Sequence, residues 1–139
     1  MNRRNFIKLV GAATGAGLVA APFISRAAEI MPKTGRRVVV IGGGSGGAIV
    51  AKYLRMADPS IEVVLIEREK TYIACPLSNL VIAGIRTLEE NTITLGGLAK
   101  RGIKLVYDNV TAVDVAAKQV VVSGGTIAYD RLVLSPGVD

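Results

Sequence analysis

The sequence predicts an α/β fold: a parallel sheet entered through a βαβ unit, followed by a β-meander. Three observations predict it. Arg37 to Ile41 and Ile61 to Ile66 are short apolar runs without polar alternation, the pattern of strands covered on both faces of a parallel sheet. Between them, a glycine turn and a helix-periodic segment supply the crossover that parallel strands require. Beyond Gly102 the apolar runs shorten and alternate with turn residues, as in a meander.

Composition limits the chemistry. Half of the 139 residues are apolar and few are aromatic, so the core of a single domain has to be built from Val, Ile, Leu and Ala. With one cysteine, Cys75, and no histidine, the chain excludes an internal disulfide, a zinc site of several Cys and His, and a Ser-His-Asp triad. No metal site and no catalytic side chain are expected here, and chemistry has to come from a bound cofactor. The net charge of +6 is unevenly placed. All eleven acidic residues follow position 28, whereas Arg3, Arg4, Lys8 and Arg26 precede it. The remainder carries thirteen basic against eleven acidic residues and no basic run with interleaved aromatics, so nucleic acid is not an expected partner.

The elements follow in order. Met1 to Ala28 has the basic start, apolar middle and small-residue exit of a signal peptide. Asn2-Arg3-Arg4-Asn5-Phe6-Ile7-Lys8 resembles the twin-arginine export motif, which carries folded, cofactor-loaded proteins to the periplasm. Leu9 to Ile24 is too short and too rich in Gly and Ala for a membrane span, and none is expected once the leader is removed. Residues 29–35 read as a linker, and 36–139 as the domain.

Arg37 to Ile41 is the first buried strand, and Gly42-Gly43-Gly44-Ser45-Gly46-Gly47 follows it directly. Gly42, Gly44 and Gly47 fit G-x-G-x-x-G: one glycine for the tight turn, one to admit a pyrophosphate to the backbone, one for helix–sheet contact. Ser45 and Gly46 lie in the same turn, where the free amides and partial positive charge of the next helix face the phosphates. In that helix Gly47, Val50, Ala51 and Leu54 share one stripe, with Lys52 and Arg55 facing away, and Asp58-Pro59-Ser60 ends it. Glu67, 20 residues after Gly47, ends the second strand where a ribose-binding acid belongs.

Past Glu67 the sequence departs from a plain βαβ repeat. Pro76 suits the first position of a short helix closed by Gly84, which makes Cys75 its N-cap. Leu95 to Arg101 reads as a second short helix ended by Gly102. Strands are expected at Ile103 to Tyr107, Val110 to Val115, Lys118 to Val122, Thr126 to Tyr129 and Arg131 to Ser135, the last running into Pro136-Gly137.

Together the glycine loop, the strand-end acid, the meander and Ser135-Pro136-Gly137 resemble the amino-terminal part of the Rossmann-like FAD domain in glutathione reductase-like flavoproteins. Val39 to Gly47, AKYLRMADPSIEVVLIE and TYIACPLSNLVIAG resemble, more narrowly, the flavoprotein subunits of flavocytochrome c sulfide dehydrogenases. Cys75, Leu77, Ser78 and Asn79 form the most specific piece. The resemblance implies FAD bound covalently through Cys75, sulfide as substrate, and a c-type cytochrome subunit as electron acceptor. It also implies that Arg68, Val110, Pro136 and Gly137 lie near the cofactor. It implies further that the FAD domain is incomplete at Asp139, and that these 139 residues alone have no sulfide turnover.

Cys75 keeps other readings open. As an N-cap its thiolate would gain from the helix dipole, which suits attack on an electrophilic flavin carbon. It could instead be the redox thiol of a pyridine-nucleotide-dependent disulfide reductase or NADH oxidase, or a buried apolar filler. A truncated nucleotide-binding product without activity is the remaining alternative. Tyr72 reads as a packing residue.

Overall fold

In the computed structural model, which describes residues 28–31 and 35–137, a short strand β1 (Ala28–Met31) precedes the βαβ unit. That unit is β2 (Arg37–Ile41), α1 (Ser45–Ala57) and β3 (Glu62–Glu67). The leader expected at Met1 to Ala28 lies outside the described residues, apart from Ala28 itself. An excursion follows with β4 (Thr71–Ile73), α2 (Ser78–Ile82), a 3₁₀ turn at Glu89–Asn91, β5 (Thr92–Thr94) and α3 (Gly96–Ala99). The chain then makes β6 (Lys104–Tyr107), β7 (Val110–Asp114), β8 (Gln119–Val122), β9 (Gly125–Ala128) and β10 (Arg131–Leu134).

The apolar runs pair because neither has a face suited to water. β10, β2, β3 and β6 form a four-stranded parallel sheet in that order, with Ile41 opposite Ile66 and Leu134. Alternate residues point to opposite faces. Val39, Ile41, Val64 and Ile66 pack against Val120, Val122, Ile127 and Tyr129 of the meander region, whereas Val40, Val63 and Leu65 pack against Ala51, Leu95 and Ile103. One face is thus closed by β8 and β9, the other by α1 and the chain around α3. Each fully buried Val, Leu or Ile contributes about 2 kcal/mol by leaving water, so the central strands define the scaffold.

The amino ends of the strands carry a charge ladder. Arg37 is 3% exposed, and its guanidinium donates to Glu62 Oε2 at 2.8 Å and to the Ala128 carbonyl at 3.2 Å. Lys104 Nζ donates to Glu62 Oε1 at 2.6 Å. Burial works to raise the Glu62 pKa, but hydrogen bonds and charge from Arg37 and Lys104 outweigh it and hold the carboxyl at about 2.

Several elements differ from the sequence expectation. The stretch read as a linker, 29–35, contributes backbone to β1, which pairs in parallel with β9 and covers an otherwise open strand edge. Pro76 does not start a helix. Leu77 takes a left-handed conformation at φ 70°, which breaks the chain direction, and α2 begins at Ser78. Cys75 is therefore not its N-cap, and a helix of five residues offers it little dipole. The helix expected over Leu95 to Arg101 is confined to Gly96–Ala99, and Gly102 at φ 79° closes the following turn. Arg55, off the apolar stripe, is half-buried, and its guanidinium donates to the carbonyls of Pro59, Ile61 and Arg101.

Candidate dinucleotide-binding site

Parallel strands deliver their carboxyl ends to one rim of the sheet, and ligands of such sheets sit outside that rim. Here the rim gathers Gly42 after β2, Glu67 at the end of β3, Asp108 and Asn109 after β6, and Ser135-Pro136-Gly137 after β10. They line a cleft of about 650 Å³ with Gly44, Arg68, Tyr72 and Val110.

Three glycines of the loop have separable reasons. Gly42 has φ 98°, donates to the Ile66 carbonyl at 2.9 Å, and a Cβ there would stand 2.0 Å from the Ser135 carbonyl oxygen. A Cβ on Gly47 would stand 1.8 Å from the Gly42 carbonyl oxygen, so α1 approaches β2 too closely for any side chain. Gly44 is different: a Cβ there would meet nothing nearer than Tyr72 Cε2 at 4.0 Å. Protein contacts do not require that glycine, whereas a ligand lying on the backbone would. It is also the N-cap of α1, makes no side-chain cap hydrogen bond, and no acidic residue occupies the helix's first turn. The positive end of this 13-residue helix therefore has no side-chain anion in its first turn, an arrangement that could receive an external one.

Glu67 is held in place by backbone amides. Its Oε2 accepts from Gly43 N at 2.5 Å, and Oε1 accepts from Arg68 N at 2.8 Å and Glu69 N at 3.1 Å. A carboxylate so oriented keeps lone pairs for hydroxyl donors in the cleft. Asp108 is tied in the same manner. Burial tends to raise its pKa, but the amides of Gly124 and Asn109 and the Ser123 contacts hold the carboxyl below its usual range.

The cleft brings together Gly42, Gly44, Glu67, Arg68, Val110, Pro136 and Gly137 of the sequence-predicted set. Gly46 and Gly47 lie behind it, Gly46 against Ser135 Oγ and Gly47 against the Gly42 carbonyl. Ser45 lines a second, smaller cleft of about 290 Å³ with Tyr72, Ala74, Pro76 and Asn91. Tyr72 lines both clefts, and its hydroxyl lies 3.1 Å from Ser45 Oγ. Cys75 lines neither cleft, although Ala74 and Pro76 on either side of it line the second. It is exposed, which removes the reading of a buried filler. Asp108 and Asn109 were not foreseen; their signal is a polar pair directly after a strand whose carboxyl end faces the ligand rim. Among the described residues no helix is long and apolar enough to cross a membrane.

These features define a Rossmann-like FAD/NAD-binding fold of an oxidoreductase. The profile of the pyridine nucleotide-disulphide oxidoreductase family matches residues 36–139, and the chain belongs to that family. It is 59% identical over 46 residues to the sulfide dehydrogenase [flavocytochrome c] flavoprotein chain of Chlorobaculum thiosulfatiphilum, an alignment covering 33% of this chain and 96% of that sequence. The sulfide:quinone oxidoreductase structure from Aquifex aeolicus superimposes with a TM-score of 0.69 at 31% identity, covering 75% of this chain and 25% of that one. The water-forming NADH oxidase of Lactobacillus brevis superimposes with a TM-score of 0.66 at 25% identity, covering 73% and 25% respectively. The chain thus spans about a quarter of the length of these solved relatives.

Proposed function

We propose that this chain is the amino-terminal FAD-binding part of an exported flavoprotein that takes electrons from sulfide and passes them to a c-type cytochrome subunit. The observation that carries the reading is the 59% identity to the flavoprotein chain of a flavocytochrome c sulfide dehydrogenase. The cleft fits the cofactor, because Gly44 leaves its backbone bare where a diphosphate would lie on the amino end of α1. Bound FAD supplies the switch between two-electron oxidation of a donor such as hydrosulfide and one-electron release to a haem protein. The amides of Ser45, Gly46 and Gly47 face the diphosphate and Glu67 accepts from the ribose hydroxyls. Arg68, Val110, Pro136 and Gly137 border the dinucleotide, and Cys75 tethers the flavin. Met1 to Ala28 is the twin-arginine leader to the periplasm and 36–139 the domain. Sulfide turnover is assigned to the longer protein, and the 139-residue chain alone binds FAD without turnover.

A second reading keeps Cys75 as a redox thiol of an NADH oxidase or disulfide reductase, and the likeness to the Lactobacillus brevis enzyme favours it. Acid denaturation of the purified protein separates the two. Yellow colour that stays with the polypeptide, and is lost in Cys75→Ser, supports the tether. Flavin released alongside one titratable thiol supports the redox reading, and protein without flavin supports an inactive nucleotide-binding product.

A further inference from the structure

Between Thr71 and Thr94 the chain leaves the sheet, and most of its side chains are exposed or half-buried. The exception is Asn91, at 3% exposure. A buried amide in a segment with so little interior has to be held by specific hydrogen bonds. The Asn91 side-chain Nδ2 donates to the Ala74 carbonyl at 2.5 Å, and the Asn91 main-chain carbonyl accepts from Ala74 N at 3.0 Å. Ala74 is thus gripped at both its backbone groups by one residue, and it is the residue before Cys75.

The grip is itself supported. Thr87 N donates to Glu90 Oε2 at 2.8 Å and Glu90 N to Thr87 Oγ1 at 3.3 Å, a reciprocal pair of hydrogen bonds that ties the 3₁₀ turn ending at Asn91 to the residue before its N-cap. On the other side of Cys75, its carbonyl accepts from Ser78 N at 3.1 Å, and Pro76 fixes the backbone between. The backbone on both sides of Cys75 is pinned while its thiol remains exposed.

We propose that Asn91 is the positioning residue for Cys75, holding Ala74 so that the sulfur is presented at one place to the flavin. This rests on the reading of Cys75 as the flavin tether. In forming that bond the Cys75 S–H and one C–H of the flavin 8α-methyl group would each give up a proton as the S–C bond forms, and the two electrons released would reduce the flavin. Dioxygen would reoxidise it, taking two electrons and two protons and leaving as hydrogen peroxide. Holding one reactant in place replaces an entropy loss at the reaction step, and a misplacement of about 1 Å can cost on the order of 100-fold in rate.

The test uses the full chain made in flavin-starved cells, then supplied with FAD in air, as wild type, Asn91→Leu, Asn91→Ala and Cys75→Ser. Total bound flavin is read from the visible spectrum, and tethered flavin from the colour kept after acid denaturation. Asn91→Leu keeps the branched shape and loses the donor without burying a charge. It is expected to bind as much FAD as wild type while tethering it at least about 10-fold more slowly. Asn91→Ala, which removes the donor by truncation, is expected to show the same slowing. Tethering at the wild-type rate in both variants overturns the role of Asn91 alone. Absence of tethered flavin in the wild type overturns both this role and the tether reading. A loss of total flavin in both variants in proportion to tethered flavin overturns it too, because Asn91 would then serve only the fold.

Discussion

Gly47 and Glu67 show how single residues at the rim answer to different constraints. At Gly47 the constraint is internal, with the Gly42 carbonyl 1.8 Å from where a Cβ would be. Gly47→Ala is therefore expected to push α1 off β2 and lower stability by on the order of 3 kcal/mol, measured by urea unfolding. At Glu67 the constraint faces both ways: its oxygens accept from three amides, and the free lone pairs face the cleft. Glu67→Gln places an amide donor against backbone donors and removes the charge, and is expected to weaken FAD binding by about 10-fold or more. Calorimetric titration with FAD in the Cys75→Ser background checks this, and unchanged affinity would remove Glu67 from the site.

At the scale of elements, the parallel sheet is held at its amino ends by the Arg37–Glu62–Lys104 ladder and at its carboxyl ends by the glycine turn. The folded pKa of Glu62, about 2, lies below its unfolded value near 4.5. Its stabilising contribution is complete above that unfolded value and is lost as the pH falls through about 2. Glu62→Gln is expected to cost about 2 kcal/mol at neutral pH, by leaving buried Arg37 short of a partner, and to flatten the acid limb of the stability curve. Denaturant midpoints across the acid range check both. The βαβ unit was legible because Val39–Ile41 and Val63–Ile66 are apolar on both faces and the glycines follow at fixed spacing. The excursion from Thr71 to Thr94 was not. Its strands are three residues long, below the reach of periodicity, and a leucine at positive φ moved the start of α2 from Pro76 to Ser78. The ladder was hidden for another reason: Arg37 and Glu62 each stand at the head of an apolar run, and only the register of the two strands makes them partners. The strand β1 escaped because its four residues, Ala28–Met31, are too few to show a period and straddle the expected end of the leader.

At the scale of the whole molecule, the proposed life of the chain runs from folding and cofactor loading to export and partnership with a cytochrome. Replacing Arg3 and Arg4 together by lysine is expected to leave the precursor in the cytoplasm with its flavin bound, as cell fractionation would show; unchanged export would remove the twin-arginine route. The account as a whole turns on a diphosphate resting against the bare backbone at the start of α1. The most direct measurement is FAD affinity in Cys75→Ser and in Cys75→Ser with Gly44→Ala, read by flavin fluorescence, with unfolding curves recorded alongside. A methyl group at Gly44 meets no non-neighbouring protein atom closer than 4.0 Å, so the expected loss of stability is only the difference between Gly and Ala at an N-cap, about 1 kcal/mol. FAD affinity should fall about 100-fold, a change of roughly 2.7 kcal/mol. Equal affinity in the two proteins would contradict the placement of the diphosphate, and with it the assignment of the cleft.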